Sequence, residues 1–268
     1  MSSVTKRISQ IKQPYGGYIK LAEFEAIQLI DEQELNESEN VHGTIIGMTV
    51  DYLSRFLMGT DKYDAFRISM RGASIAETLF HEVDAIDKAN LFFSEIKGLD
   101  DNSIVNACKL VTFDVWVRNT PFAVNAKKAD QINPNEDTIH NIRVLVERCI
   151  SFWKKYGPIL EDGFTFEPDG YTDIVTSGDG DYLTKDTLWD IKVSKSKPKI
   201  KDTLQILMYW IMGQHSGQSI FSGVEYIGIF NPRLNMVWLK KVAAIDKNTI
   251  HEIESNVIGY RSDSIDIS

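Results

Sequence analysis

The sequence predicts a mixed α/β fold in which a helical N-terminal elaboration precedes a sheet-bearing core. Three observations carry this expectation. Apolar residues recur at three- and four-residue spacing through much of the first 158 of 268 residues. From residue 164 the texture changes to alternation of period two, rich in β-branched residues and marked by a Gly178-Asp179-Gly180-Asp181 turn signal. One apolar helix, 203–213, then separates these strands from a second strand pair. The order is helices, then α-β-β-β-α-β-β, then a helix, which implies a central mixed sheet flanked by helices. The chain divides at 158: a mainly helical region (1–158) packed on a core (159–268), together one integrated domain.

The elements follow in order. LAEFEAIQLIDEQEL (21–35), VHGTIIGMTVDYLSRFLMG (41–59), DAFRISMRGASIAETLF (64–80) and SIVNACKLVTFDVWV (103–117) predict helices by their spacing. The helix over 135–158 has the fullest set of signals. Asn135 suits an N-cap, and Glu136 and Asp137 suit the positive end of the dipole. Ile139, Ile142, Val146, Cys149, Ile150 and Trp153 form its stripe, and Lys154, Lys155, Gly157 and Pro158 stop it. Residues 164–195 predict two or more antiparallel strands, with GYTDIV (170–175) and 188–193 among them. Residues 224–242 predict strand, turn at Asn231-Pro232, and strand; 245–260 closes the chain as a helix.

Composition narrows the function classes. Apolar content of 43% supports a packed core rather than disorder. Cys108 and Cys149 stand alone without a C-x-x-C pair, which excludes a four-cysteine zinc or iron–sulfur site. Isolated cysteines fit a reducing, cytoplasmic setting. There is no apolar leader, no run long enough to span a membrane and no G-x-x-x-x-G-K-[ST] loop, so neither a membrane nor a nucleotide cofactor is expected. The five histidines show no metal-ligand spacing. The net charge of −9 speaks against a protein that coats DNA, yet positive charge gathers locally. Between Lys185 and Lys201 six lysines face only Asp186 and Asp190. Lys195, Lys197, Lys199 and Lys201 form a ladder that fits either a solvated loop or a phosphate-binding footprint.

Strand geometry suggests chemistry beside this ladder. Residues i and i+2 share a face, so Asp190 and Lys192 lie together, as do Tyr171, Asp173 and Val175. Were the two strands neighbours, Asp173 and Asp190 would converge next to Lys192. Paired carboxylates repel unless a cation lies between them, and a hard divalent ion with oxygen ligands fits that role. The plainer readings are an exposed Asp190–Lys192 ion pair, a turn role for Asp173, and Gln205 as a satisfied polar residue on a core helix. The four-residue spacing of Gln205 and Tyr209 places them on one helix face, while Leu204, Leu207, Met208 and Ile211 supply the packing stripe.

The set G-Y-T-D (170–173), D-I-K (190–192) and Gln205-x-x-x-Tyr209 resembles the PD-(D/E)XK nuclease superfamily, in its RecB-like and lambda-exonuclease-like branch. It covers about 170–242. The resemblance implies a restriction-endonuclease-like core and hydrolysis of DNA phosphodiester bonds, with an exonuclease-like habit. It implies Mg²⁺ or Mn²⁺ held by Asp173, Asp190 and the Ile191 carbonyl, with Lys192 as the catalytic lysine and Gln205 positioning it or the phosphate. Lys195, Lys197, Lys199, Lys201 and Tyr209 would meet single- or double-stranded DNA. A helicase or recombination partner and a phage or mobile-element setting fit the family's habit. One departure is plain: many relatives carry G-T-x-x-H, and here Gly43-Thr44-Ile45-Ile46 is followed by Gly47, with His42 ahead of it. Asp51 and Glu147 are the alternative upstream acids. A catalytically decayed fold that binds nucleic acid or a protein partner is the alternative reading.

Overall fold

The computed structural model describes residues 2–261. Along the chain come strand β1 (Ser2–Ser3), helix α1 (Val4–Gln10), strand β2 (Glu25–Gln28) and helices α2 (Gly43–Leu57), α3 (Lys62–Ala65), α4 (Arg67–Phe80) and α5 (Ala85–Glu95). Helices α6 (Asp101–Leu110), α7 (Val115–Arg118), α8 (Thr120–Ala123) and α9 (Glu136–Tyr156) follow. Then come strands β3 (Glu161–Asp162), β4 (Val175–Ser177), β5 (Tyr182–Leu183) and β6 (Thr187–Ile191), helix α10 (Ile200–His215), strands β7 (Tyr226–Asn231) and β8 (Met236–Lys241), and helix α11 (Lys247–Glu252). Among these residues no helix is long and apolar enough to cross a membrane.

Two compact units emerge: a sheet unit, from the segments up to Ile30 and from Trp153 onward, and a helical unit, Asp31–Phe152. The first thirty residues thus belong with the sheet rather than with the helices that follow. The reason is strand pairing. β2 lies antiparallel along β8, Glu25 opposite Leu239, and β1 runs parallel to β4. Here the helix expected over 21–35 is corrected: Leu21–Glu23 form a single 3₁₀ turn and residues 25–28 are an edge strand. The open edge of β8 offers backbone partners that a lone helix would have had to supply itself, and tertiary context overrides the helical spacing.

The main sheet has the order β2-β8-β7-β6-β5-β3 and is mixed. Only β6 and β7 pair in parallel, and α10 makes the crossover between them. β6 is therefore central and covered on both faces. Leu188 and Asp190 turn toward α10, where Leu204, Leu207, Met208 and Ile211 are fully buried. Trp189 turns the other way, edge-on to Trp153 and Tyr156 in the last turn of α9. The helix expected over 135–158 is present as α9, and Asn135 Oδ1 accepts from Thr138 N at its start.

In the helical unit, Asp114 is buried but satisfied: Tyr52 Oη and Ser69 Oγ each donate to it at 2.5 Å, and Arg118 pairs with it at 3.3 Å. Cys108 and Cys149 are buried free thiols, each pushed up to about 12 by burial, and so are inert packing residues.

Trp189 depends on one glycine. Gly228 stands opposite it in register, and a Cβ there would come within 2.3 Å of the indole ring. Gly228→Ala is therefore expected to destabilise the protein by about 1–3 kcal/mol through overpacking. Urea unfolding measures this, and an unchanged midpoint would show that the ring is not pinned there.

Candidate active site

Asp190 lies on β6 with 1% of its surface exposed. Lys192, just beyond the strand, continues the ladder by donating its N–H to Phe230 O (2.9 Å), and so keeps the face of Asp190. Its Nζ is 2.9 Å from both Asp190 oxygens but aligned to donate only to Oδ1. Oδ2 is buried and accepts no hydrogen bond. Nζ also donates to Gln205 Oε1 at 3.0 Å, and Gln205 Nε2 donates to Tyr209 Oη at 2.8 Å. The expected chain of Asp190, Lys192, Gln205 and Tyr209 is thus brought together, running from β6 onto one face of α10.

Asp173 is not brought to it. The neighbours of β6 are β5 and β7, not the 170–175 segment, and β4 pairs with β1 instead. Asp173 is exposed in a bend. Tyr171 and Thr172 act locally: Tyr171 Oη donates to Gly178 O at 2.5 Å, and Thr172 Oγ1 donates to Ile258 O at 2.5 Å. The acid held at the end of β6 is Asp181. It directly precedes β5, whose Tyr182 pairs with Trp189 and Leu183 with Leu188. Asp181 Oδ2 accepts from Ile191 N at 2.9 Å, which holds the carboxylate against the end of β6.

The signal for Asp181 was present in the sequence. Gly178-Asp179-Gly180-Asp181 satisfies G-x-x-D as well as Gly170-Tyr171-Thr172-Asp173 does. A short hairpin turning at residues 184–186 brings the later acid, and not the earlier one, to the end of β6.

Asp202 adds a further carboxylate. It is buried in the first turn of α10, where Oδ2 accepts from Lys199 N at 2.7 Å and caps the helix. Burial works against the Lys192 charge, but Asp190, Asp181 and Asp202 outweigh it and hold the ammonium above the ordinary lysine range. Burial pushes the Asp190 carboxyl above the usual carboxylate range, against the pull of Lys192 and with Asp202 adding to the rise. Burial and the neighbouring Asp181 also push the Tyr209 phenol upward, so it stays protonated.

Lys195, Lys197, Lys199 and Lys201 are exposed along the 192–201 segment. Asn231, fully buried at the end of β7, fixes that segment: its Nδ2 donates to Ser194 O (2.8 Å) and Ser196 O (3.3 Å). The other acids weighed as ligands belong to the helical unit. There Asp51 binds Arg55 at 3.1 Å and Glu147 accepts from Gln33 at 2.9 Å. His42 caps α2, its Nδ1 accepting from Thr44 N at 3.3 Å.

Among the described residues no three His, Cys, Asp or Glu side chains form a ready metal cluster. The donors present still fit a hard cation. Asp190 Oδ2 is buried without a hydrogen bond, and the Asp181 carboxylate is held at the end of the same strand by Ile191 N. Two carboxylates suit Mg²⁺, which retains waters and takes phosphate oxygens. No family model, curated protein or solved structure matches this chain.

Lys192→Met alone strands a buried carboxylate and is expected to cost about 3–5 kcal/mol, whereas the double change with Asp190→Leu recovers most of that loss. Denaturant unfolding of the two variants measures it. A double variant less stable than the single one would mean that the pair is not energetically coupled.

Proposed function

We propose that this chain is a metal-dependent nuclease hydrolysing DNA phosphodiester bonds, with a PD-(D/E)XK-type site on a restriction-endonuclease-like core. The observation that carries the reading is the convergence of Asp181, Asp190, Lys192 and Gln205 at the end of β6. Asp181 and Asp190 would hold Mg²⁺ or Mn²⁺, with the Ile191 carbonyl beside them. Such an ion supplies charge neutralisation at the phosphate and acidifies water. Lys192 has three donors, and two are used within the protein. The third is left to steady negative charge developing on a phosphate oxygen. Gln205 fixes the direction of the ammonium, and Tyr209 fixes Gln205. The lysines that follow suit the strand's phosphates.

A second reading, a decayed nuclease fold that binds without cutting, is favoured by one observation: among the described residues no three acidic, histidine or cysteine side chains are grouped to hold a metal.

The test compares Mg²⁺-dependent cleavage of linear DNA by the wild type and three conservative variants. Asp181→Asn and Asp190→Asn are expected to lose about 10²–10⁴-fold in rate, and Asp173→Asn to stay within about two-fold. Cleavage that survives Asp190→Asn contradicts the proposal. Binding by the wild type without any cleavage favours the second reading.

A further inference from the structure

We propose that the turn at Pro14–Gly17 presents Tyr15 as a stacking platform for a base of a single-stranded nucleic acid, whose backbone runs along Lys199 and Lys201 toward Lys192. The path toward Lys192 rests on the proposed nuclease reading; the platform itself does not. Gly17 N donates to Pro14 O at 2.9 Å, and Gly16 occupies the third position with φ +86°. That is the geometry of a type II turn, which favours glycine there. Tyr15 takes the second position and is fully exposed, with a relative exposure of 102%.

A single exposed aromatic is ordinary. Its mounting and its surroundings are what distinguish Tyr15. Gly17 packs against Ile200, since a Cβ there would lie 3.0 Å from the isoleucine side chain. Thr203 Oγ1 donates to Ile19 O at 3.0 Å. These contacts fasten the turn to the first turn of α10, between the exposed Lys199 and Lys201 that flank Ile200. On the other side the Lys20 side chain lies over Gly16, where a Cβ would be 3.3 Å from its Cε. Glu23, an acid of that segment, is bound to Lys240 at 3.3 Å.

Helix geometry links this platform to the candidate site. Lys201 and Gln205 are four residues apart on one face of α10, about 6 Å along the axis. Gln205 in turn holds Lys192. An exposed aromatic on a fixed turn beside a line of lysines matches the chemistry of a single strand, whose bases have open π-faces and whose phosphates need cations. In a duplex those faces are covered by neighbouring pairs, so the platform should discriminate against it.

Fluorescence anisotropy in EDTA, with a labelled oligothymidylate and a duplex of equal length, tests the inference without any cleavage. Tyr15→Ala is expected to weaken oligothymidylate binding about 5- to 100-fold, Tyr15→Trp to retain it, and both to leave duplex binding unchanged. Equal oligothymidylate affinity in wild type and Tyr15→Ala, no binding by the wild type, or an equal loss on the duplex would overturn it. The two proposals separate cleanly. Tyr15-dependent binding without Mg²⁺-dependent cleavage leaves the platform and removes the nuclease. Cleavage with Tyr15-independent binding does the reverse.

Discussion

Asp190 is a carboxylate placed where carboxylates are costly, on a central strand covered on both faces. Most of what surrounds it can be understood as compensation. Lys192 supplies the opposite charge from the same face, just beyond the end of the strand, and Gln205 takes up the ammonium's second donor. Tyr209 then orients Gln205, and the buried stripe of α10 fixes the helix that carries both. The compensation stops short in one place: one oxygen of Asp190 is buried and accepts no hydrogen bond.

The parallel β6–α10–β7 crossover serves the same arrangement. It delivers Gln205 one helix turn beyond Lys201 and brings the start of α10 against residues 17–19. The first thirty residues thus do more than lead into the helical unit. They close the sheet at β8 through β2, pack α1 on α10, and mount Tyr15 beside the lysine ladder.

Much of this was legible in the sequence, for identifiable reasons. The long stripe of α9 and the apolar run of α10 were readable because their periodicity is local. Asp190 with Lys192, and Gln205 with Tyr209, were readable because each pair lies within one element, where spacing alone decides the face. The rest depends on which strands become neighbours. The segment of β2 carries helical spacing, and only pairing with β8 makes it a strand. Asp173 and Asp181 both satisfy G-x-x-D, and only the pairing of β5 with β6 tells them apart. Period-two alternation identifies strands but carries no information on partners.

Asp181 and Asp190 are proposed to form a cation site together, without Asp173. Calorimetric titration of Mn²⁺ into the wild type, Asp181→Asn and Asp173→Asn tests it without reference to turnover. The account predicts one site in the wild type, unchanged in Asp173→Asn and weakened more than about ten-fold in Asp181→Asn. Equal Mn²⁺ affinity in all three proteins, or a loss confined to Asp173→Asn, would contradict it.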